Sequence, residues 1–397
     1  MQRDRFIEET PFFTDEHARL AASVANFAAR EVEPLAGDDG EGPEADARFR
    51  GLLSLLAQAD LLSYSVARGD GAPLDARSLC VVREALAYHS PLADLAFVMQ
   101  GLGTYAVSLA APEHVRDFWL GRARAGKAIA AFALTEPEAG SDVSSIQTTA
   151  RREGDSYVIE GRKCFISNAG LADFYTVFAR TGEREDGRAV LSAFAVGARM
   201  QGFRVRERTR LMSPHPIGEV EFDGLRVPAG DRIGEEGDGF KLAMQTLDMF
   251  RASVGAAACG MARRALDESI AHAKARRQFG RPLAEQQLIQ AKLAEMQTSL
   301  DAARLLVYRA AHLKDARRDG PPAERGATSV TRAASEAKLF ATETAQRVID
   351  EAVQIHGGRG LVHGRPVERL YRDIRALRIY EGTSEIQKLV IAREVLR

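Results

Sequence analysis

The hydrophobic pattern of the chain changes its period twice, and this change limits the possible fold more than any other feature. From about residue 14 to residue 126 the apolar residues recur at the spacing of amphipathic helices. From about 127 to 234, short runs of β-branched and aromatic residues alternate with turn residues, which is typical of an antiparallel sheet or a small barrel. After residue 239 long helical patterns return. We therefore predict an α+β, mainly α fold made of an N-terminal helical domain (1–126), a middle antiparallel β domain (127–235) and a C-terminal helical bundle (236–397).

Several individual elements stand out inside these blocks. The polar stretch 315–329 contains Gly-Pro-Pro and is expected to connect two long helices without dividing domains. The predicted strands are 157–159, 174–178, 190–196 and 220–222. The predicted long helices are 242–276, 283–313 and 334–355.

The charge balance of the chain excludes some classes of partner. It has 54 basic and 55 acidic residues, so its formal net charge is -1. A protein that binds nucleic acid or an anionic membrane surface through general electrostatic attraction is expected to carry excess positive charge. We therefore expect no nucleic acid and no membrane among the partners.

The cysteines and the N-terminus suggest the compartment. Cys80, Cys164 and Cys259 are widely spaced and form no C-x-x-C motif, which favours unpaired thiols in a reducing compartment. The first nine residues carry charges and have no apolar signal core, and we expect no apolar run near the roughly 18 residues that span a bilayer. We predict a soluble, cytoplasmic protein.

One carboxylate, Glu381, stands among apolar and aromatic neighbours in the segment LRIYEGTS (377–384). Ser384 and Gln387 have the spacing of a capping box for the helix that follows, so Glu381 is expected on a fixed loop just outside that helix. A carboxylate partly removed from water binds its proton more tightly, as a base that abstracts a C–H proton requires. An ordinary surface carboxylate ahead of a helix fits this segment equally well.

Six motifs along the chain resemble, in the same order, motifs of the acyl-CoA dehydrogenase family. YEGTS (380–384) is similar to the segment that carries the family's catalytic base, and FTDEH (13–17) with EVEP (31–34) is similar to its first helix. The segments similar to its flavin contacts are LTEPEAGSD (134–142), GRKCFISN (161–168), RRQFG (276–280) and QIHGG (354–358).

The resemblance implies a chemistry as well as a fold. Removing hydrogen from the α and β carbons of an acyl thioester needs a base and a hydride acceptor, and no side chain accepts hydride. The family uses FAD as the acceptor, and Glu381 is the expected base. Its own backbone N–H and a flavin ribityl hydroxyl would hold the thioester carbonyl. Members of the family are usually tetramers with flavin sites completed between subunits, and they pass electrons to electron-transfer flavoprotein.

The resemblance also implies the residues that contact FAD and substrate. Arg276 matches an arginine that holds the flavin pyrophosphate of a neighbouring subunit, and Met99, Gln100 and Phe250 are placed near the far end of the acyl group. The expected FAD contacts are Phe132, Leu134, Thr135, Gly140, Ser141, Phe165, Ser167, Arg276, Phe279, Gln354, Gly357, Gly358 and Thr383. The expected substrate contacts are Ser141, Asp248, Arg251 and Gly382.

Taken without the resemblance, some of these residues have ordinary explanations. Phe165 reads as a buried strand residue, and Arg251 as a surface arginine near the start of a helix. The pattern G-x-G-x-x-A at Gly101 and Gly103 fits a dinucleotide-binding loop, but it lies in a helical block without a βαβ unit. These glycines are expected to allow close helix packing or to leave room at the acyl end. The histidines show no metal-ligand spacing, so no metal is predicted.

The chain departs from the family in places that leave other functions open. Phe165 and Ser167 stand where many relatives have tryptophan and threonine, and MSPHPIG (212–218) replaces an arginine and hydroxyl residues near the CoA end. An acyl group on an acyl carrier protein, or an oxidase that uses oxygen, is therefore an alternative. A DNA-binding flavoprotein of the same fold is a third, which the balanced charge opposes. Electron-transfer flavoprotein is expected as the acceptor because the chain has no additional C-terminal domain of the oxidase kind.

Overall fold

The computed structural model describes residues 4–37, 42–69, 73–319 and 329–397. Helices come first, a β-sheet follows, and long helices return, so the predicted fold class is confirmed. Most of the predicted 315–329 connection lies outside the described residues.

Eleven α-helices occur in the described residues, and the longest three lie after the sheet, as the sequence pattern indicates. Short π and 3₁₀ turns, such as Ala28–Val32, link some of them. The helices are α1 (Arg5–Glu9), α2 (Asp15–Phe27), α3 (Pro43–Gln58), α4 (Ala76–His89), α5 (Pro91–Ala110), α6 (Glu113–Arg124), α7 (Gly239–Ala275), α8 (Gln287–Asp319), α9 (Val330–His356), α10 (Pro366–Leu377) and α11 (Ser384–Val395).

The described strands form one large sheet and one hairpin. The strands are β1 (Ala130–Ala133), β2 (Thr149–Glu153), β3 (Ser156–Ser167), β4 (Phe174–Glu183), β5 (Ala189–Gly197), β6 (Phe203–Arg208), β7 (Ile217–Pro228), β8 (Arg232–Ile233), β9 (Arg277–Gln278) and β10 (Arg281–Pro282). The large sheet has the order β6-β7-β3-β2-β4-β5-β8, with β1 beside β4. Most pairs are antiparallel as predicted, but β4 pairs in parallel with β1 and with β2.

The chain divides into two compact units, each with its own interior. Unit 1 contains Met1–Asp38, Asp75–Asp94 and Phe250–Arg397, and it holds the long C-terminal helices. Unit 2 contains Asp39–Leu74 and Leu95–Met249, and it holds the large sheet. The three predicted domains (1–126, 127–235 and 236–397) remain a prediction, because each unit combines separate segments of the chain and neither coincides with one of these domains.

Within unit 2, the buried side of the sheet packs against helices. The indole of Trp119 on α6 stacks on the ring of Phe174 on β4, with ring centroids 4.4 Å apart. Gly103 on α5 approaches β1 so closely that a Cβ there would lie 2.6 Å from the Cβ of Ala130. Gly103 therefore lets α5 pack closely against β1, which agrees with the first of the two roles expected for these glycines.

Helix α5 differs from one expectation drawn from the sequence. Its 20 residues are long and apolar enough to cross a membrane by length and composition, whereas we expected no such run. Most of its apolar stretch is buried, which is typical of a core helix. The amide of Gln100 is engaged by the backbone, because its Nε2 donates to the Ala128 carbonyl at 2.7 Å and its Oε1 accepts from the Ala130 N–H at 2.7 Å. Gln100 therefore anchors the start of β1.

The three cysteines are free and buried. Burial raises the pKa of the Cys80, Cys164 and Cys259 thiols above their usual value, so they stay protonated near neutral pH. The prediction of unpaired thiols is confirmed.

Candidate active site

Glu381 lies on a tight loop between α10 and α11, outside both helices as predicted. Its backbone is left-handed, with φ of 54°, and the next residue, Gly382, has φ of 89°. Thr383 caps α11, since its side chain accepts a hydrogen bond from the Ile386 N–H at 3.3 Å. The predicted capping box of Ser384 and Gln387 is therefore wrong by one residue.

Ser384 and Gln387 have other roles. The Ser384 hydroxyl donates to the Glu343 carboxylate on α9 at 2.6 Å. Gln387 turns back towards the loop, and its Nε2 donates to the carbonyls of Glu381 at 3.2 Å and Gly382 at 3.0 Å. Both residues are buried, so the loop is tied to its own helix and to α9.

The Glu381 side chain has the electrostatics expected of a base. Burial raises the pKa of its carboxyl above the usual value, and the positive charges of Arg83, Lys338 and Arg251 oppose that rise. Its Oε2 is shielded from solvent and has no hydrogen-bond partner among the described residues. Burying an acceptor without a hydrogen-bond partner costs free energy unless a ligand or substrate group contacts it.

Arg251 is not the surface arginine that the bare sequence suggested. It lies in the interior of α7, is only 8% exposed, and its charge acts on the Glu381 carboxyl. Asp248 lies one turn earlier on the same helix and is half-buried. The surface interpretation assumed that a helix starts near Asp248, but α7 begins nine residues earlier, at Gly239.

A buried ion pair beside this site was not predicted. Arg83 on α4 donates from Nε and Nη2 to the two carboxylate oxygens of Asp94, both at 2.8 Å, and its Nη1 donates to the Ser253 hydroxyl at 2.9 Å. Arg83 and Asp94 are 1% and 3% exposed. Sequence patterns do not reveal a pair that joins separate helices.

In unit 2, two of the flavin-like segments are held against each other. The Cys164 N–H on β3 donates to the Thr135 carbonyl at 3.0 Å. Glu136, the acid of the T-E-P motif, is 5% exposed, and its carboxylate accepts from the backbone N–H groups of Gln147 and Thr148 at 2.5 and 2.9 Å. Its role here is structural.

The remaining candidates of this segment differ in exposure. Leu134 is buried, Phe132 and Thr135 are half-buried, and Gly140 and Ser141 are exposed. Open space surrounds Gly140, since a Cβ there would meet no described atom within 4 Å. A ligand can therefore approach the backbone closely at this turn.

Phe165 is exposed, contrary to the buried strand position that bare sequence indicated. It is 60% exposed and left-handed, with φ of 52°. The pairing of β3 with β7 shifts between Lys163 and Ile166, so an irregularity lies at Phe165. Such a bulge redirects a side chain out of the alternating strand pattern, which sequence alternation alone cannot indicate.

Ser167, two residues further on, has a partner from the segment that departs from the family. Its hydroxyl lies 2.7 Å from Nε2 of His215. Burial lowers the pKa of His215 to about 4, so the imidazole is neutral at neutral pH. This contact joins the segments 161–168 and 212–218 inside unit 2.

Arg276 and Phe279 lie at the surface of unit 1. Arg276 follows the last residue of α7, and the short hairpin of β9 and β10 follows it. Phe279 and Gly280 form the two-residue turn, with φ of 51° and 79°, as a type I′ hairpin turn requires. Phe279 is 93% exposed.

Gln354, Gly357 and Gly358 also lie exposed on unit 1, at the end of α9. The imidazoles of His272 and His356 stack there with centroids 4.4 Å apart. Burial and the neighbouring side chains of His356, Arg359 and Arg276 lower the pKa of His272, and the two arginines bring positive charge to this place. Open space around both glycines and the nearby positive charge fit a phosphate-bearing ligand.

Strained backbone marks the same motifs. Among the described residues, five that are not glycine have left-handed φ, and four of them lie in the family-like segments. Such conformations persist where the surrounding structure holds them, and they cluster at functional sites. The five are Asp60, Phe165, Asn168, Phe279 and Glu381.

Comparison with known proteins agrees with these features. The chain matches the models of the acyl-CoA dehydrogenase N-terminal domain over residues 14–127, the middle domain over 131–225 and the C-terminal domain over 237–396. It is 38% identical to the cyclohexane-1-carbonyl-CoA dehydrogenase of Geobacter metallireducens over 391 residues, which is 97% of this chain and 99% of that protein.

Solved structures show the same likeness. Butyryl-CoA dehydrogenase from Megasphaera elsdenii superposes with a TM-score of 0.84 at 33% identity, covering 97% of this chain and 99% of that chain. A glutaryl-CoA dehydrogenase from Mycobacterium smegmatis in complex with FADH2 superposes with a TM-score of 0.84 at 26% identity, covering 97% and 95%.

Proposed function

Because the chain belongs to the acyl-CoA dehydrogenase family, whose members are FAD-dependent oxidoreductases that act on CH–CH bonds, we propose that it oxidises an acyl-CoA thioester to the 2-enoyl thioester with Glu381 as the base. The observation that carries this proposal is the Glu381 carboxyl, which is held on a left-handed loop and has a pKa raised by burial. A base performs best when its pKa approaches the working pH, and burial moves a carboxyl in that direction.

The proton step follows from the loop. The Glu381 carboxylate would take the α proton of the thioester, and its shielded Oε2 has no competing partner among the described residues. Arg83, Lys338 and Arg251 place positive charge around it, which favours the carboxylate form and opposes the effect of burial. The Glu381 backbone N–H would donate to the thioester carbonyl and stabilise negative charge that develops as the proton leaves.

FAD, when bound, would accept the hydride from the β carbon. The open turn at Gly140 and Ser141, the exposed ring of Phe165 and the hydroxyl of Ser167 are the groups in unit 2 that would hold it. In unit 1, the exposed residues Arg276, Phe279, Gln354, Gly357, Gly358 and the N-capping Thr383 are the corresponding candidates.

The assembly and the electron acceptor are part of the same proposal. The exposure of Arg276, Phe279 and Gln354 supports a flavin site that a second copy of the chain completes, as in a homotetramer. Electron-transfer flavoprotein is the proposed acceptor. Turnover with that protein, compared with peroxide production in air, separates a dehydrogenase from an oxidase, and stoichiometric peroxide at a comparable rate would favour the oxidase.

The proposed base is tested by anaerobic flavin reduction with a panel of acyl-CoA thioesters and acyl carrier protein thioesters. Glu381→Gln should keep the flavin and lose about 10² to 10⁴ in the rate of reduction, because Gln retains size and polarity without basicity. Glu385→Gln, four residues along in an exposed position, is the matched control and should reduce normally. Near-normal flavin bleaching by Glu381→Gln would assign the base elsewhere.

A further inference from the structure

Two buried side chains hold the backbone of the loop that carries Glu381. Lys338 on α9 donates from Nζ to the Gly382 carbonyl at 2.8 Å. Gln387 on α11 donates from Nε2 to the carbonyls of Glu381 and Gly382, at 3.2 and 3.0 Å. We propose that Lys338 and Gln387 are positioning residues that clamp this loop, and that the Lys338 ammonium also favours the carboxylate form of Glu381.

The loop needs such a clamp because of its conformation. Glu381 is left-handed at φ of 54°, a region that residues with a Cβ occupy only when their surroundings hold them there. Gly382 follows at φ of 89°, and a Cβ on it would lie 2.5 Å from Gln387 Nε2. The clamp therefore lies directly against the loop backbone, and a side chain at residue 382 would displace the Gln387 amide.

The position of the base depends on these contacts. The Glu381 carbonyl belongs to the peptide that leads to Gly382, and the Gly382 carbonyl belongs to the next peptide. Two donors on α9 and α11 restrain both peptides, so they fix the backbone on the C-terminal side of the Glu381 Cα, from which the carboxylate side chain projects. Geometry of this kind must hold within a fraction of an ångström for efficient proton transfer.

Lys338 adds an electrostatic role. The Lys338 side chain is completely buried. The negative charges that act on it are those of Glu381, Glu343 and Glu385, and the positive charge that acts on it is that of Arg251. Burial lowers the pKa of its ammonium to about 8, so it is largely charged at and below neutral pH. Glu381 is in turn surrounded by Arg83 on α4, Arg251 on α7 and Lys338 on α9, with Asp94 on α5 as the opposing charge.

The sign of the effect follows. A nearby cation favours the carboxylate form and lowers the pKa of Glu381. Removing the Lys338 charge should therefore raise the pKa of Glu381, and the acidic limb of the pH profile should move to higher pH. Gln387 carries no charge, so its loss should lower the rate without moving that limb.

The experiment measures the rate of anaerobic flavin reduction from pH 5 to 9 in the FAD-loaded protein. Lys338→Met should move the acidic limb up by about half a unit or more, and Gln387→Leu should lower the plateau about tenfold through misplacement of the base. Lys338→Arg retains the charge and should leave the limb in place. Lys292→Met, which removes a lysine from α8, is the control and should match the wild type.

The electrostatic part of this proposal rests on the proposed function, in which Glu381 is the base. A second readout tests the clamp without that assignment. Hydrogen exchange of the peptide that spans 378–388, measured without substrate, should be faster in Lys338→Met and Gln387→Leu and unchanged in Lys292→Met. An unmoved acidic limb together with wild-type exchange would overturn the clamp. If Glu381→Gln reduced flavin normally while exchange still increased in the clamp variants, the proposed function would fail and the clamp would stand. If Lys338→Met does not fold, Gln387→Leu decides the clamp and Lys338→Gln the charge.

Discussion

Lys163 donates a hydrogen bond to the Glu136 carboxylate at 2.8 Å and a second to the Leu134 carbonyl at 3.0 Å. Both charged side chains are buried, and they join β3 to the loop that follows β1. Hydrogen bonds and the Lys163 charge lower the pKa of Glu136, whereas burial lowers the pKa of Lys163 to about 8. Both groups are therefore charged near neutral pH, and the two flavin-like segments of unit 2 are held together by an ion pair.

Breaking this pair should destabilise the protein strongly. Lys163→Met leaves Glu136 buried without its counter-ion, and a loss of about 3–5 kcal/mol in the free energy of unfolding is expected. Chemical denaturation measures it. The double variant Lys163→Met with Glu136→Leu should recover part of that loss, because neither charge then remains buried. Equal losses in the single and double variants would contradict the pairing.

His215 should act on flavin through Ser167. If Ser167 contacts the cofactor as proposed, His215→Phe removes the partner of its hydroxyl and should shift the flavin absorption bands, while His215→Gln should shift them less. The pKa of about 4 keeps His215 neutral, so the wild-type bands should not change through this residue between pH 5.5 and 8. The control is the double variant that combines His215→Phe with Ser167→Ala. If its band shift equals the sum of the two single shifts, the two residues act separately.

Arg276→Ala should weaken FAD retention about tenfold or more, since hydrogen bonds to charged groups contribute about 1.5–3 kcal/mol. The measurement is the ratio of flavin to protein absorbance after gel filtration, which also reports the size of the assembly. Lys274→Ala removes a neighbouring exposed cation at the end of α7 and serves as the control. A stable, fully flavinated monomer would oppose a site completed by a second copy.

Glu381→Gln should stabilise the protein more as the pH rises. Because burial raises its pKa in the folded state, the folded protein binds this proton more tightly than the unfolded chain does. The stabilising contribution of the protonated Glu381 carboxyl is complete below the usual pKa of 4.5, and it is lost as the pH increases through the pKa of Glu381 in the folded protein. The difference in Tm between variant and wild type should therefore be larger at pH 8 than at pH 5.

Glu385→Gln provides the opposite case. Hydrogen bonds from its own backbone N–H and from Thr383 lower the pKa of Glu385, so its contribution is present above the usual pKa and lost as pH falls. Its substitution should thus lower Tm more at pH 6 than at pH 3, because the contribution is complete above 4.5. The same trend in both variants would contradict the assigned burial of Glu381.

The sequence alone predicts the order of helices, sheet and helices and the loop position of Glu381, because periodicity and helix-start signals are local properties of the chain. It placed the cap of α11 one residue too late, at Ser384 in place of Thr383, since both residues are good caps and only packing separates them. The sequence also did not predict the exposure of Phe165, because a bulge depends on the pairing of β3 with its partner strand β7.

The surroundings of Glu381 become visible only once the helices are packed together. Lys338 lies 44 residues before Gly382 in the chain, and Arg83 and Arg251 lie much further away, yet their charges act on one carboxyl. No local pattern distinguishes these cations from solvated ones on a helix surface. Burial and charge depend on which helices pack together, and these two properties set the pKa of the proposed base.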